Sequence, residues 1–382
     1  AGRAYVYFGG SSMNSVADLI MTGAAAFDLF GISVSSAGDM NGDGYSDVIV
    51  GANGNDAGGS DAGRAYVYFG GSSMNNVADL IMTGAAAIDQ FGIPVSSAGD
   101  MNGDGYSDVI VGAFLNGSSA GRAYIYLNSM TGADIADEFF AGAAANDQFG
   151  TSVSSAGDVN GDGFNDLIIS APLNDAGGSN AGRVYVYFGG SILNNVADLT
   201  MTGTAASDQF GFSVSSAGDV NSDGYSDVIV GANVNDAGGT DAGRAYIYFG
   251  GNSPDTIPDV IMTGAAAGDQ FGISVSSAGD VNGDGFSDVI AGAFGNDAGG
   301  TDAGRTYIYY GGSVMNNVAD GIMTGAVAGD AFGYSVSSAD DINGDGFSDV
   351  IVGAYLNDAG GSNAGRSYVY FGGISSDTIA DL

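Results

Sequence analysis

Residues Asp39 to Asp47 read DMNGDGYSD, three acids in nine residues with no cation beside them. At an effective dielectric of ~20, two carboxylates held ~5 Å apart repel by roughly 3 kcal/mol. A folded loop of this kind wants a counter-ion. The same nine-residue pattern returns from Asp100, Asp158, Asp219, Asp280 and Asp341, at intervals of 61, 58, 61, 61 and 61 residues. A fixed period of this length marks a repeat architecture, with one supersecondary unit per period. The short interval has a local cause: NDAGGSDAGR (Asn55 to Arg64) is trimmed to NGSSAGR (Asn116 to Arg122), so a surface turn absorbs the deletion and the flanking strands are kept.

Within one period the pattern predicts four short strands and no helix. FGISVSSA (Phe30 to Ala37) leads into the acidic loop and DVIVGA (Asp47 to Ala52) leaves it. After the NDAGGSDAG turn comes RAYVYF (Arg64 to Phe69), where Tyr66 and Tyr68 share one face and Ala65, Val67 and Phe69 the other. ADLIMT (Ala78 to Thr83) is the fourth run, and Gly- and Asn-rich turns separate all four. Four strands in about 60 residues, apolar on both faces and iterated, suit a blade packed between neighbouring blades. The fold class expected is therefore all-β, a β-propeller of four-stranded antiparallel blades.

Composition narrows the partners. The chain carries 44 acidic and 7 basic residues, for a formal charge of −37, and the basic residues are all arginines. Such a surface repels phosphate backbones and anionic lipid headgroups, which argues against nucleic acid and membrane surfaces and favours divalent cations. At 45% apolar residues with 20 Tyr and 20 Phe, the chain is richer in core-forming side chains than a disordered acidic segment. Cys, His and Trp are absent, which removes disulfides, thiolate and imidazole metal sites, and Cys or His catalysis. No run reaches the length needed to cross a bilayer as a helix. No charged-then-apolar leader opens the sequence, which starts in mid-pattern at Ala1 and reads as a mature or excised segment.

Two other calcium architectures fail. The β-solenoid nonapeptide GGxGxDxUx is missing and the period is far too long for it. An EF-hand needs a bidentate Glu at its twelfth position, and twelve residues from Asp39 end on Val50, inside a strand.

Phe30-Gly31, then DxNGDGxxD, then Gly51-Ala52 resembles the FG-GAP repeat of integrin α-chain β-propellers and related bacterial surface proteins. FG recurs at Phe91, Phe149, Phe210, Phe271 and Phe332, and the GAP element appears as GAN, GAF, SAP, GAN, GAF and GAY, with a literal proline only at Pro172. The resemblance covers nearly the whole chain and implies a calcium ion in the hairpin loop between the first and second strands of each blade. The oxygen donors suit this, since Ca²⁺ takes about six to eight oxygens and Mg²⁺ demands a stricter octahedron. In the first loop they are Asp39, Asn41, Asp43, the Tyr45 carbonyl and Asp47, with Gly44 allowing the sharp turn. The matching positions are Asp100, Asn102, Asp104, Tyr106 and Asp108; Asp158, Asn160, Asp162, Phe164 and Asp166; and Asp219, Asn221, Asp223, Tyr225 and Asp227. The last two loops supply Asp280, Asn282, Asp284, Phe286 and Asp288, then Asp341, Asn343, Asp345, Phe347 and Asp349. Ser222 replaces the fourth-position Gly and Asp340 the Gly before Asp341; neither removes a ligand. Six bound ions would offset about 12 negative charges.

Other repeated residues read as structural. The arginine of each AGR (Arg3, Arg64, Arg122, Arg183, Arg244, Arg305 and Arg366) is expected to make a bidentate bond to a nearby Asp. The alternating tyrosines are assigned to blade packing over sugar stacking, the methionines of IMTG and TMTG to core, and Asp56 and Asp236 to holding turns. Asn116-Gly117-Ser118 is a lone glycosylation sequon. Catalysis lacks a distinctive constellation, because the paired carboxylates recur sixfold and the only Glu is Glu138; the chain reads as not an enzyme. A unique partner site is sought in the most divergent segment, Leu127 to Gly150, and near Pro254 and Pro258.

The chain reads as a single propeller domain over residues 1–382. An N-terminal partial blade (1–29, third and fourth strands) precedes repeats starting at about 30, 91, 149, 210, 271 and 332, and residues 364–382 duplicate the phase of 1–19. Six blades are expected, the N-terminal strands completing the last one, with seven as the alternative the resemblance suggests. The functional expectation is an extracellular or cell-surface, calcium-stabilised structural or adhesive propeller, binding a protein or glycan or assembling with copies of itself. The alternatives are a lectin-like propeller and a non-catalytic accessory domain of a secreted enzyme.

Overall fold

The computed structural model describes all residues except 12, 128–135 and 375–377. Residues 128–135 of the divergent segment Leu127 to Gly150, expected to carry a unique partner site, therefore lie outside the described residues. In the first repeat β3 (Val34–Gly38), β4 (Asp47–Ala52), β5 (Arg64–Tyr68) and β6 (Leu80–Thr83) form one antiparallel sheet in chain order. Blade two repeats this with β7 (Val95–Gly99), β8 (Asp108–Ala113), β9 (Arg122–Tyr126) and β10 (Glu138–Ala141). Blade three is β11 (Val153–Gly157), β12 (Asp166–Ala171), β13 (Arg183–Tyr187) and β14 (Leu199–Thr202). Blade four is β15 (Ser213–Gly218), β16 (Asp227–Ala232), β17 (Arg244–Tyr248) and β18 (Val260–Thr263). Blade five is β19 (Val275–Gly279), β20 (Asp288–Ala293), β21 (Arg305–Tyr309) and β22 (Gly321–Thr324). Blade six has β23 (Phe332–Asp340), β24 (Asp349–Ala354) and β25 (Arg366–Tyr370). The protein is an all-β propeller of six blades built on a four-stranded antiparallel plan.

Each blade is held by its neighbours. Between blades one and two, Ile49, Ala65, Val67 and Met82 meet Phe91, Val95, Val109 and Val111, all buried. The other face of blade one presents Phe30, Val50, Tyr66 and Tyr68. Alternation along β4 and β5 thus sends successive side chains into two different cores, which is why both faces had to be apolar. The FG phenylalanine seats edge-on against the tyrosine pair of its own repeat: Phe210 lies 5.4 Å from Tyr246 and 6.4 Å from Tyr248 between ring centroids. First strands pack side by side from β3 to β23 along the inner ring.

Three details differ from expectation. The trimmed turn holds a single four-residue helical turn, α1 (Asn116–Ser119), within which Gly117 and Ser118 take positive φ; with three residues removed the chain must reverse more tightly. Second, the N-terminal strands β1 (Arg3–Val6) and β2 (Leu19–Thr22) do not complete blade six. They form their own two-stranded sheet. Third, the outer edge of β25 is bonded instead by Asp381 and Leu382, with Asp381 N–H donating to the Val369 carbonyl at 2.9 Å, the position that Asp79 takes against Val67 in blade one. Gly23 N–H donates to the Gly2 carbonyl and closes the β1–β2 hairpin, while Phe30 N–H donates to the Ala1 carbonyl and ties that hairpin to blade one.

Phe210→Ala should lower stability by about 3–5 kcal/mol in urea melts, as expected for emptying an aromatic core site. Ile192→Ala, at an exposed position, should stay within about 0.5 kcal/mol. Equal effects would contradict the two-core packing.

Candidate metal centres in the hairpin loops

The acidic loop is shaped by its own backbone. A β-bulge between Ser36 and Gly38 bends β3 out of register with β4. The Asp39 carboxylate then gathers three N–H donors, from Gly42 at 2.7 Å, Asp43 at 3.1 Å and Gly44 at 2.9 Å. Asn41 Oδ1 accepts from Asp43 N–H, its Nδ2 donates to Asp43 Oδ2, and Asp43 Oδ1 accepts from Tyr45 N–H. Gly44 sits at φ +88, a turn that L side chains resist. The second, third, fifth and sixth loops reproduce these bonds around Asp100, Asp158, Asp280 and Asp341. The fourth keeps them at Asp223 and Gly224, and Ser222 takes the turn at φ +60.

The ninth-position acid stands apart because it is buried at the head of the second strand. Asp47 Oδ2 accepts from Met40 N–H at 2.9 Å and Oδ1 from Gly70 N–H at 2.8 Å, so one carboxylate ties the loop, β4 and the exit of β5 together. Asp166, Asp227, Asp288 and Asp349 make the same two bonds, and Asp108 is buried and accepts from Met101 N–H. Burial raises the Asp47 and Asp349 carboxyls above the ordinary range, against the lowering pull of the backbone donors. Asp166, Asp227 and Asp288 are pushed up to about 7, first by burial and further by the loop's other two acids.

Adjacent loops are chained along one face. Ser107 N–H donates to the Asp39 carbonyl, Asn165 to Asp100, Ser226 to Asp158, Ser287 to Asp219 and Ser348 to Asp280. Among the described residues no three acids converge closely enough to form a closed metal cage. Asp39 and Asp43 turn onto N–H groups within the loop, and Asp47 onto Met40 of the loop and Gly70 at the exit of β5. The donor set nevertheless fits a hard divalent cation: it is oxygen-only, and Asp39 Oδ2, Asp43 Oδ1 and both Asp47 oxygens each carry one of the bonds described, leaving a lone pair free.

Other sequence-predicted residues fall into place around this frame. Among the described residues the arginines do not make the expected bidentate bond to Asp. Arg64 Nε donates to Thr83 Oγ1 at 3.1 Å, and Arg183, Arg244 and Arg305 bond Thr202, Thr263 and Thr324 alike, because the register sets Arg opposite Thr across the third and fourth strands. The tyrosine pairs of the blades and Met21, Met82, Met201, Met262 and Met323 are packed in the inter-blade cores. Asp56 and Asp236 hold turns by accepting from Asp61 and Asp241 N–H. Asn116 of the sequon is buried and its amide donates to Asp89 at 2.8 Å, which ties up the nitrogen that glycosylation would use. Sequence reasoning missed the acid two residues before each FG. Asp89, Asp147, Asp269 and Asp330 are buried and each accepts from an Asn 27 residues later. The signal was there, in an Asp and an Asn recurring at that separation in every repeat.

The FG-GAP repeat pattern matches residues 30–68, 94–126, 149–187, 210–248, 271–309 and 332–370. These blocks cover more than half of the chain, and the protein belongs to the FG-GAP repeat family. It is similar to integrin alpha-5 of Xenopus laevis, 32% identical over 57% of this chain and 21% of that protein. It is also similar to integrin alpha-V of Gallus gallus, 34% identical over 55% of this chain and 21% of the relative. The chain thus spans about a fifth of the length of these relatives. A solved subtype N11 neuraminidase-like protein overlays at TM-score 0.45 with 12% identity, covering 98% of this chain and 99% of that one, a likeness too loose to bear on function. No helix among the described residues is long and apolar enough to cross a membrane.

The buried acids predict a pH dependence in chelator. A carboxyl whose folded pKa is raised binds a proton that the unfolded chain has already lost, so its contribution is full below about pH 4 and is lost as pH climbs through about 7. Self-repulsion of the acidic chain acts in the same direction. Melting in EDTA should therefore occur at a lower temperature at pH 8 than at pH 5; a flat or rising profile in calorimetry would contradict the burial argument.

Proposed function

We propose that this protein is an extracellular, calcium-stabilised structural and adhesive propeller, in which six hairpin loops each take one Ca²⁺ and clamp neighbouring blades into a platform for surface partners. The observation that carries the reading is the oxygen-only donor set, repeated at one spacing in six loops that are chained along one face. Each loop would hold its ion through the acids at positions one, three-and-five's Asn–Asp pair, the carbonyl at position seven and the ninth-position acid. The ion would supply the positive charge that the buried Asp166, Asp227 and Asp288 lack, and lower their cost of ionisation. Loops of extracellular modules bind calcium at ~0.1 to 1 mM, so at about ten times Kd each site adds about 1.4 kcal/mol of stability. That makes calcium a standing cement outside the cell, not a cytosolic trigger. The integrin alpha relatives support an adhesive role at a cell surface. The lectin reading has no comparable support, because the blade tyrosines that would stack on a sugar are committed to the cores.

Titration calorimetry of the chelated protein should give about six calcium sites, and melting should shift upward by up to roughly ten degrees in millimolar calcium. Asp43→Ala removes an exposed loop acid that makes no bond to the strands, so it should delete one site and leave the melting point in EDTA unchanged. Unaltered melting on adding calcium, or no heat of binding, would overturn the proposal.

A further inference from the structure

We infer that five of the six acidic loops carry a self-modification site, an asparagine at the third loop position whose side-chain amide is lost to attack by the backbone nitrogen of the next residue, leaving aspartate or isoaspartate. The sites are Asn41, Asn102, Asn160, Asn282 and Asn343. Their ranking above other asparagines rests on loop geometry alone. Only the protection by calcium described below rests on the proposed function.

The chain holds seven Asn-Gly dipeptides: the five in the loops, Asn53-Gly54 and Asn116-Gly117. A glycine after asparagine has no Cβ to keep its nitrogen from the side-chain amide. By sequence the seven are equal, and the structure separates them. In the first loop the attacking group, Gly42 N–H, donates to Asp39 Oδ1 at 2.7 Å, and Asn41 Oδ1 accepts from Asp43 N–H at 2.9 Å. A carboxylate acceptor raises electron density on the attacking nitrogen, and a donor on the amide oxygen withdraws it from the carbon under attack. Asn102, Asn160, Asn282 and Asn343 are held by the same pair of bonds, at 2.7 Å from the glycine nitrogen and 2.8 Å at the amide oxygen. Each of the five is half-buried beside an exposed glycine, so water reaches the product ring.

The other two dipeptides are shut. Asn116 is buried, and its amide nitrogen is anchored on the buried Asp89. Asn53 is buried as well, its Oδ1 accepts no bond, and Gly54 N–H is spent on the neutral Asp28 carbonyl at 3.2 Å. The fourth loop is a natural control. Asn221 keeps the bond from Asp223 N–H, but Ser222 stands where the other loops have glycine, and among the described residues the Asp219 carboxylate accepts only from Asp223 and Gly224.

In the reaction the Gly42 nitrogen bonds to Asn41 Cγ and the Cγ–Nδ2 bond breaks; the Gly42 proton ends on the departing nitrogen, which leaves as ammonia. Water then opens the cyclic imide at either carbonyl, so one water is consumed, one ammonia is released and no redox partner is needed. Opening at the main-chain carbonyl gives isoaspartate, which adds a methylene to the backbone and moves Asp43 and Tyr45 out of their spacing with Asp39. Opening at the other carbonyl gives aspartate, a further acid in a loop already short of positive charge. Asp39 and Asn41 are also residues that would hold calcium, and an Asn41 oxygen engaged by an ion is kept from the rotation that brings Cγ onto the Gly42 nitrogen. A loop without its ion is thus the loop that ages.

The test is peptide mass spectrometry of the intact chain aged in EDTA below its melting transition, with a parallel sample unfolded in urea. In EDTA the five loop asparagines should convert from amide to acid, with Asn53, Asn116 and Asn221 at least about tenfold slower. In urea Asn53 and Asn116 should catch up and Asn221 should still lag. Ser222→Gly should bring Asn221 up to the rate of the other loops, and Gly344→Ser, whose Cβ would meet nothing within 4 Å, should slow Asn343 to the rate of Asn221. Millimolar calcium should slow the five loops at least about tenfold. Conversion of Asn53 or Asn116 as fast as the loops in the folded chain, or intact loops in EDTA when the urea sample has reacted, would overturn the inference. Calcium that binds by calorimetry yet leaves the loop rates unchanged would overturn the protection. If calcium does not bind at all, the proposed function falls, and the ranking in EDTA still decides this inference.

Discussion

A carboxylate buried at the head of each second strand is the constraint on which the rest of the molecule depends. Taking an ionised acid out of water costs several kcal/mol unless it is fully bonded. Asp47 and its equivalents meet that cost in part with two backbone N–H donors, one from the acidic loop and one from the exit of the third strand. The bonds shape the loop, and the raised pKa values show that they do not offset burial completely. What remains is a standing demand for positive charge, in a chain whose only cations are seven arginines. The residue that closes the hairpin is thus the same one that, in the proposed calcium site, would give the cation its deepest oxygen donor. Structure and proposed metal chemistry are joined in one side chain per blade.

The second constraint is that a blade has no solvent face at its second strand. β8, β12, β16 and β20 are buried along their whole length, so each blade is complete only when flanked on both sides. Stability in such an array is a sum of units and nearest-neighbour interfaces, and its weak points are where a neighbour is missing.

Much of the blade was legible in the residues. Asp47–Ala52 was delimited to the residue, because a strand buried on both faces reads as an unbroken apolar run between an acid and a turn. The fourth strand was placed two residues too early, since Ala78 and Asp79 belong to a backbone-bonded approach and not to the ladder. The arginine partner was misassigned for a physical reason: charge excess pointed to Asp, whereas cross-strand register set Arg64, Arg183, Arg244 and Arg305 each against a threonine hydroxyl. Composition cannot report register. The Asp–Asn latches escaped notice because each half looks like ordinary turn chemistry, and only burial reveals that the two meet.

By itself the sequence determined the all-β class, the four-strand unit and the two-faced core, because alternation and turn residues act within one 61-residue period. Only the tertiary structure decided where the N-terminal strands go. Their place depends on Gly2 meeting Phe30 and on Gly10 meeting Ile342, the second a contact that joins opposite ends of the chain. A repeat whose copies are nearly identical offers every strand the same local partners. Ring geometry, through the angle that each packed blade adds, selects which of them are within reach.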